Sequence, residues 1–387
     1  MNVKEIDKQY IANTYARFDL QLVKGKGSLV YDETGKEYID LGTGIAVNGF
    51  GIGDEAWKAA VVAQLDKIQH TSNLYYSEPC ALLAKALCER TEMDKVFFSN
   101  SGAEANECAI KAARKYGEIR KGKEYYTILT LQNSFHGRTI TTLSATGQEV
   151  FHQHFTPMTE GFVHCASNDI KQAEKLVRAH KCCAIMIEVV QGEGGVMPLE
   201  KEFVAALASL ARKQDLLLII DEVQTGNGRT GALYGYMHYG ITPDGVTTAK
   251  GLGGGLPIGA TLLNAKAAAL FTPGLNGSTF GGNPVACAGA LSILERLDEE
   301  LLASVRKKSA YIFNTLQGGK GVKSISGMGL MLGIDCEKDA NEIVAKCMEK
   351  GVLVIKAKNK IRLLPALNIP MEQLEKAVKI LKETIAE

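Results

Sequence analysis

The stretch LLLIIDEVQ, residues 216–224, sets five consecutive aliphatic residues directly before charged and polar ones. An unbroken apolar run is typical of a strand that is buried on both faces of a parallel sheet. Proteins with such sheets bind ligands in the crevice at the carboxyl ends of their strands. The stretch therefore predicts that Asp221 faces a binding site. Taken alone, the same residues are more often an acidic strand end that leads into an ordinary loop.

A lysine among glycines follows in TTAKGLGGGLPIG, residues 247–259. No Ser or Thr comes after Lys250, so the segment does not match the phosphate-binding loop of nucleoside triphosphatases. A lysine amine can instead bind the aldehyde of pyridoxal phosphate, whose chemistry also needs a carboxylate beside the pyridine nitrogen. Lys250 and Asp221 supply both groups and together predict this cofactor.

The composition indicates an enzyme that acts on small molecules. The 387 residues carry 44 basic and 43 acidic side chains, with no basic block that would indicate nucleic acid or an anionic membrane as a partner. The nine cysteines lack paired metal-ligand spacing, and His152 and His154 have no further ligands near them, so no metal is predicted. No apolar run approaches the roughly 20 residues of a membrane span. We expect a cytoplasmic enzyme.

The order of apolar runs predicts an α/β fold with two domains. Residues 1–45 read as an arm that belongs partly to the smaller domain and reaches toward a partner subunit. Residues 46–282 alternate apolar runs with amphipathic segments, which predicts a large cofactor-binding domain with a mainly parallel sheet flanked by helices. Residues 283–387 predict a smaller α+β domain. The alternating runs are VFF (96–98), YYTILTL (125–131), AIMIEVV (184–190), LLLII (216–220) and IGATLLN (258–264).

A Ser-Gly turn follows the first of these runs and opens a helix, in SGAEAN at 101–106. Free backbone N–H groups and the positive end of the helix dipole make such a turn an anion site. Ser101, Gly102 and Ala103 are therefore candidates for holding a phosphate. An ordinary helix cap is the competing interpretation, because Ser-Gly before a helix is common.

Two further loops carry candidate binding residues. In FHGRT (135–139), Phe135 can stack on a cofactor and Arg138 can clamp a carboxylate; core packing and a surface ion pair are the alternatives. In EVVQGEGG (188–195), Glu188 and Glu193 can face an amine or an arginine inside a pocket. A glycine-rich surface turn is the alternative there.

These motifs occur in one order over nearly the whole chain, together with DEVQTGNGRTG, GSTFGGNP, SGMGLMLGID and IRLLPALNI. In this set the sequence resembles the class III family of pyridoxal-phosphate-dependent aminotransferases. The resemblance implies a fold-type I transferase, with Lys250 binding the cofactor aldehyde and later moving a proton. It also implies that Asp221 holds the pyridine nitrogen, Gln224 the side of the ring hydroxyl, and Phe135 the ring face.

The resemblance further implies a homodimer with shared active sites. Ser101, Gly102 and Ala103 match the phosphate cradle of the family. A Ser or Thr of the neighbouring subunit completes that cradle, which corresponds to Ser278 and Thr279 in this chain.

For the substrate, Arg138 and Tyr15 match positions that hold the α-carboxylate of an amino acid whose distal amine reacts. Glu188 lies in the same implied pocket, and Glu193 pairs with Arg362. When glutamate enters, its α-carboxylate needs Arg362, so Glu193 moves away and one pocket serves two substrates in turn.

The implied reaction transfers the δ-amino group of N-acetyl-L-ornithine to 2-oxoglutarate, as in arginine biosynthesis. Succinyl-diaminopimelate, free ornithine and 4-aminobutyrate stay open as alternative donors. An aminomutase of the same fold would need no external keto acid, and Glu193 and Arg362 argue against it because they suit glutamate as a second substrate. Lys250, Asp221 and Gln224 together argue against a non-catalytic binding protein.

Overall fold

The computed structural model describes residues 2–387. Its strands, β1 to β17, are Leu22–Lys26, Leu29–Asp32, Glu37–Asp40, Lys95–Ser99, Thr127–Leu131, Phe162–Cys165, Cys182–Ile187, Val190–Gln191, Met197–Pro198, Leu217–Asp221, Gly245–Thr248, Gly259–Leu263, Val322–Met328, Met331–Cys336, Val352–Leu353, Ile355–Ala357 and Lys360–Leu363. Its helices, α1 to α13, are Val3–Tyr10, Thr43–Ala46, Glu55–Leu65, Glu78–Thr91, Gly102–Lys121, Ile140–Ala145, Ile170–Ala179, Lys201–Lys213, Ala265–Ala268, Pro284–Glu295, Glu299–Leu316, Ala340–Glu349 and Met371–Ala386. Short 3-10 turns occupy Glu149–Phe151, Gly235–Tyr239 and Lys250–Leu252.

A seven-stranded sheet in the order β4-β12-β11-β10-β7-β5-β6 carries the candidate site. From β11 to β6 neighbouring strands are parallel, as predicted, while β12 is antiparallel to both β11 and β4. The alternation of apolar runs does not reveal this reversal. It arises because only a 3-10 turn lies between Thr248 and Gly259, whereas a parallel return needs a crossover of about a dozen residues or more.

Helices cover both faces of this sheet because alternate side chains of a strand point to opposite sides. Leu217 and Ile219 of β10 pack in the apolar cluster that includes α5, and Leu218 and Ile220 pack in the cluster that includes α8. Every residue of β10 is buried. The strand that ends at Asp221 is thus fixed from both sides, and the predicted α/β architecture with a mainly parallel sheet is confirmed.

Two four-stranded sheets and the two-stranded sheet β8-β9 complete the fold. β15 pairs in parallel with β3, so segments near the two ends of the chain share the sheet β1-β2-β3-β15. The sheet β13-β14-β17-β16 is antiparallel and carries Arg362 on β17. Helix α10 packs on α3 and α4. The domain boundaries near residues 45 and 282 stay a prediction. Within residues 2–387, no helix has the length and apolar character needed to cross a membrane.

The turn Thr43–Ala46, counted here as α2, has a left-handed backbone, with φ between 48° and 66° at each residue. Residues other than glycine adopt this conformation only at a cost in energy. Asp40 Oδ1 accepts the N–H of Thr43 at 3.0 Å, and Thr43 Oγ1 donates to the Leu364 carbonyl at 2.6 Å. These bonds hold the turn that leads into Val47, a residue of the cavity wall.

Candidate active site

A cavity of about 430 Å³ lies beside residues that follow β4, β5, β10 and β11. Its position at the carboxyl ends of the strands is the one expected for a ligand site in an α/β fold. The cavity wall brings together nine of the residues predicted from the sequence, namely Ser101, Gly102, Ala103, Phe135, Arg138, Glu188, Asp221, Gln224 and Lys250.

The remaining predicted residues lie beside or away from this wall. Glu193 and Arg362 adjoin it through hydrogen bonds to Gln224. Tyr15 does not line the cavity and is 70% exposed on the N-terminal arm. Ser278 and Thr279 line a second cavity of about 450 Å³.

Lys250 lies two residues after the end of β11 and opens a 3-10 turn. Its φ of 46° lies in the left-handed region, a strained conformation of the kind found at functional sites. Asn227 holds the preceding backbone, because its Nδ2 donates to Thr248 Oγ1 at 3.0 Å and to the Ala249 carbonyl at 3.2 Å. Burial lowers the pKa of Lys250, which favours the neutral, nucleophilic amine.

Asp221 ends β10 and is held by three N–H donors. Its Oδ2 accepts hydrogen bonds from His136 Nδ1 at 2.8 Å and Asn106 Nδ2 at 2.7 Å, and its Oδ1 accepts the Val223 N–H at 3.0 Å. Burial lowers the pKa of His136, but the hydrogen bond and charge of Asp221 outweigh burial and raise that pKa above its ordinary value. These three donors therefore fix the orientation of the Asp221 carboxyl group.

The start of α5 supplies backbone donors to the same cavity. Ser101 caps the helix, its Oγ accepting the Glu104 N–H at 3.2 Å. Within residues 2–387 the N–H groups of Gly102 and Ala103 have no hydrogen-bonding partner. A Cβ on Gly102 would lie 2.6 Å from Val223 Cγ1, so a larger residue does not fit. A helix start with free N–H donors suits a phosphate.

Glu193 and Arg362 form an ion pair at the edge of the cavity, with 2.5 Å between Oε1 and Nη1. Gln224 contacts both partners, since its Oε1 accepts from Arg362 Nη1 at 3.3 Å and its Nε2 donates to Glu193 Oε1 at 3.4 Å. Burial raises the pKa of Glu193, but the charge and hydrogen bond of Arg362 outweigh burial and lower that pKa. The pair joins strand β17 to the loop after β8.

Burial is the main cause of the raised pKa of two further carboxyl groups near Asp221. Glu188 lines the cavity and accepts the Phe135 N–H at 2.9 Å, and burial raises the pKa of Glu188 to about 8. Glu222 does not line the cavity. It accepts the N–H groups of Gly235 and Tyr236 at 2.8 and 2.7 Å, and burial raises its pKa to about 7. Glu222 therefore stabilises a turn of the main chain.

Two buried polar residues of the site were not assigned from the sequence. His136 is 2% exposed and stands between Phe135 and Arg138 in the FHGRT loop, so only the fold distinguishes it from a surface histidine. Asn106 is 1% exposed and bridges Asp221 to Thr247, whose Oγ1 donates to Asn106 Oδ1 at 2.6 Å. An asparagine among the small apolar residues of α5 is the sequence signal that points to such a buried contact.

The chain is similar to known proteins over nearly its whole length. The acetylornithine aminotransferase of Haemophilus ducreyi is 50% identical over 387 residues, which cover 100% of this chain and 98% of that protein. The succinylornithine transaminase of Yersinia pseudotuberculosis is 42% identical over 96% of this chain and 93% of that protein. The ornithine aminotransferase of Toxoplasma gondii, whose structure shows partial occupancy of pyridoxal phosphate at its active site, aligns with a TM-score of 0.94 at 30% identity, covering 99% of this chain and 93% of that chain.

A family model described as aminotransferase class-III matches residues 10–385. The match spans the large sheet, the cavity and the strand that carries Arg362. On this evidence the chain belongs to the class-III aminotransferase family.

Proposed function

We propose that this aminotransferase moves the δ-amino group of N-acetyl-L-ornithine to 2-oxoglutarate, forming N-acetyl-L-glutamate 5-semialdehyde and L-glutamate. One observation carries the proposal: the Lys250 amine, the Asp221 carboxylate and the free N–H groups at the start of α5 line one cavity. An amine for an aldehyde, a negative charge for a ring nitrogen and an anion site are the three features that pyridoxal phosphate needs.

The residues of the cavity fit pyridoxal phosphate. Lys250 would bind its aldehyde, the backbone of 101–103 its phosphate, Phe135 the ring face, Asp221 the pyridine nitrogen and Gln224 the side of the ring hydroxyl. When bound, the cofactor supplies an electron-accepting ring that stabilises the negative charge left on the carbon that bears the reacting amine.

Lys250 and Asp221 have separate tasks in this proposal. Lys250 Nζ takes the proton from the carbon that bears the reacting amine and delivers it again, a task for which a lowered pKa is suitable. Asp221 keeps a proton on the ring nitrogen by placing a negative charge beside it. His136 and Asn106 orient that charge through their bonds to Oδ2.

The carboxyl groups of the site support an acylated donor. Burial raises the pKa of Glu188 and so favours its neutral form, Glu193 is paired with Arg362, and Asp221 is bound by three donors. None of the three is left to pair with the α-ammonium group of free ornithine. Acylation removes that positive charge, so N-acetylornithine enters without an unpaired charge.

The ion pair between Glu193 and Arg362 supports glutamate as the second substrate. While Arg362 and Glu193 are paired, the charge of Glu193 compensates the charge of Arg362, and the pocket accepts the uncharged acyl end of the donor. Glutamate brings an α-carboxylate that competes with Glu193 for the guanidinium. Opening one ion pair thereby changes the pocket between the two half-reactions.

A donor panel tests the proposed substrate. We expect kcat/KM for N-acetylornithine to exceed that for free ornithine by at least about tenfold, because an unpaired buried charge costs at least about 1–3 kcal/mol. Glutamate formation from 2-oxoglutarate is measured with N-acetylornithine, N-succinylornithine, ornithine, 4-aminobutyrate and succinyl-diaminopimelate. A preference for 4-aminobutyrate or ornithine contradicts the proposal, and turnover without any keto acid supports an aminomutase instead.

We also propose a homodimer in the cytoplasm. Leu74, Tyr75, Tyr76 and Phe280 expose between 60% and 107% of their surface around the second cavity, and apolar patches of this kind mark interfaces. Helix α1 buries none of its residues and is free to contact another subunit. The nine cysteines are all unpaired, which supports a reducing compartment.

Mixed dimers test whether two subunits share one site. We expect Thr279→Ala to weaken cofactor binding by about tenfold, as loss of a hydrogen bond to a charged group does. Co-expression of Thr279→Ala chains with Lys250→Ala chains then restores activity at limiting cofactor, because the mixed dimer holds one intact site. Activity no higher than the sum of the two parent variants contradicts a shared site.

A further inference from the structure

The guanidinium of Arg138 has aromatic neighbours and no polar partner. Its Cζ lies 4.2 Å from the ring centroid of Phe151 and 5.5 Å from that of Phe135. In the described part of the chain Arg138 forms neither an ion pair nor a side-chain hydrogen bond, and it lines the cavity. The two phenylalanine rings meet edge to face, with centroids 5.7 Å apart and planes at 77°.

Phe151 is held by the chain around it. It closes the 3-10 turn Glu149–Phe151, and the residue before this turn, Gln148, donates from Nε2 to the Ser134 carbonyl at 3.0 Å. The residue after it, His152, contacts the carbonyl oxygens of Leu143 and Thr146 through Nε2 at 2.9 and 2.7 Å. Carbonyls only accept, so this nitrogen is the donor. The ring of Phe151 is thus in place before any ligand binds.

A guanidinium held over an aromatic ring keeps its donors available. The ring face attracts the positive charge without offering an oxygen acceptor, so the five N–H donors stay free for a carboxylate. An arginine without such a contact loses side-chain conformational entropy when it binds an anion. A fixed aromatic face already restricts the side chain before the anion binds, so less entropy is lost on binding.

We propose that Phe151 is a positioning residue for substrate binding, whose ring holds the Arg138 guanidinium ready for the α-carboxylate of the amino donor. The proposal rests on the proposed function, because it takes Arg138 as the group that meets this carboxylate. Phe151 acts through Arg138 and not on the cofactor, although its ring also contacts Phe135.

The test compares Phe151→Leu, which keeps apolar volume without a π face, with Phe151→Tyr, which keeps the ring. We expect Phe151→Leu to raise KM for N-acetylornithine by about fivefold or more with little change in kcat, and Phe151→Tyr to retain the wild-type KM. In an Arg138→Leu background, adding Phe151→Leu changes kcat/KM no further, since the two side chains act as one unit.

A measurement of cofactor affinity distinguishes the positioning of Arg138 by Phe151 from support of Phe135 by the same ring. Titration of the apoenzyme with pyridoxal phosphate, followed by the fluorescence of Trp57, is expected to give the same affinity for wild type and Phe151→Leu. Weaker cofactor binding, an unchanged KM, or an equal loss in the Arg138→Leu background overturns the proposal. If wild type does not use N-acetylornithine, the proposed function fails, and the same KM comparison with the preferred carboxylate-bearing donor still decides the role of Phe151.

Discussion

Replacing Lys250 with alanine is expected to lower kcat by at least about a thousandfold, because the variant loses the group to which we assign both binding of the aldehyde and transfer of the proton. The structure gives this lysine features that no other lysine combines: a strained φ of 46°, a pKa lowered by burial and a place on the cavity wall. Single-turnover absorbance changes with glutamate measure the loss directly.

Covalent labelling supplies a readout that does not depend on turnover. Borohydride treatment of the loaded wild-type enzyme, followed by peptide mapping, is expected to fix the cofactor on the peptide that contains Lys250 and to leave Lys250→Ala unlabelled. Lys85→Ala is the matched control, because Lys85 is an exposed lysine of α4. A label on another lysine, or normal turnover by Lys250→Ala, contradicts the assignment.

Asp221→Asn is expected to slow proton abstraction by about a hundredfold or more, as loss of a fixed charge that stabilises a transition state does. The substitution keeps the size of the side chain and removes its negative charge. It also replaces one acceptor oxygen with a donor, so either the two bonds from His136 and Asn106 or the bond from the Val223 N–H is lost. The half-reaction with glutamate measures the rate, and a wild-type rate removes Asp221 from the mechanism.

The same variant changes the titration of His136. In the wild type, Asp221 raises the pKa of His136 against the opposing effect of burial. Without that carboxylate burial dominates, so the pKa of His136 in Asp221→Asn is expected to fall below the wild-type value. Nitrogen NMR of the imidazoles follows the titration, with His136→Gln identifying the signal among seven histidines. A pKa that stays the same or rises shows that Asp221 does not govern His136.

Residues at strand ends could be predicted from the sequence because their signal is local. The apolar run before Asp221 and the glycines around Lys250 each mark a position on the sheet, and the fold brings both to one cavity. The direction of β12 could not be predicted in this way, because the apolar pattern of a strand is the same in either direction. The direction of β12 depends on the length of the connection between β11 and β12.

Contacts between distant segments left no such signal. His136 meets Asp221 across 85 positions of sequence, whereas the pairing of Arg362 with Glu193 across 169 positions was predicted only through the family resemblance. The proximity of Phe151 to Arg138 depends on a turn held by backbone carbonyls, which no residue pattern encodes. The raised pKa of Glu188 is likewise a consequence of burial, so composition alone does not reveal it.

Through the left-handed turn at Thr43–Ala46, the shape of the cavity wall depends on a residue that is distant in the sequence. The hydroxyl of Thr43 is bonded to the carbonyl of Leu364, more than three hundred positions later, and the stretch between Asp40 and Val47 has little reason to keep this shape without that anchor. A fragment that stops before β17 contains Lys250 and Asp221 but lacks both Arg362 and the anchor. Synthesis must therefore proceed past Leu364 before the first productive encounter with substrate.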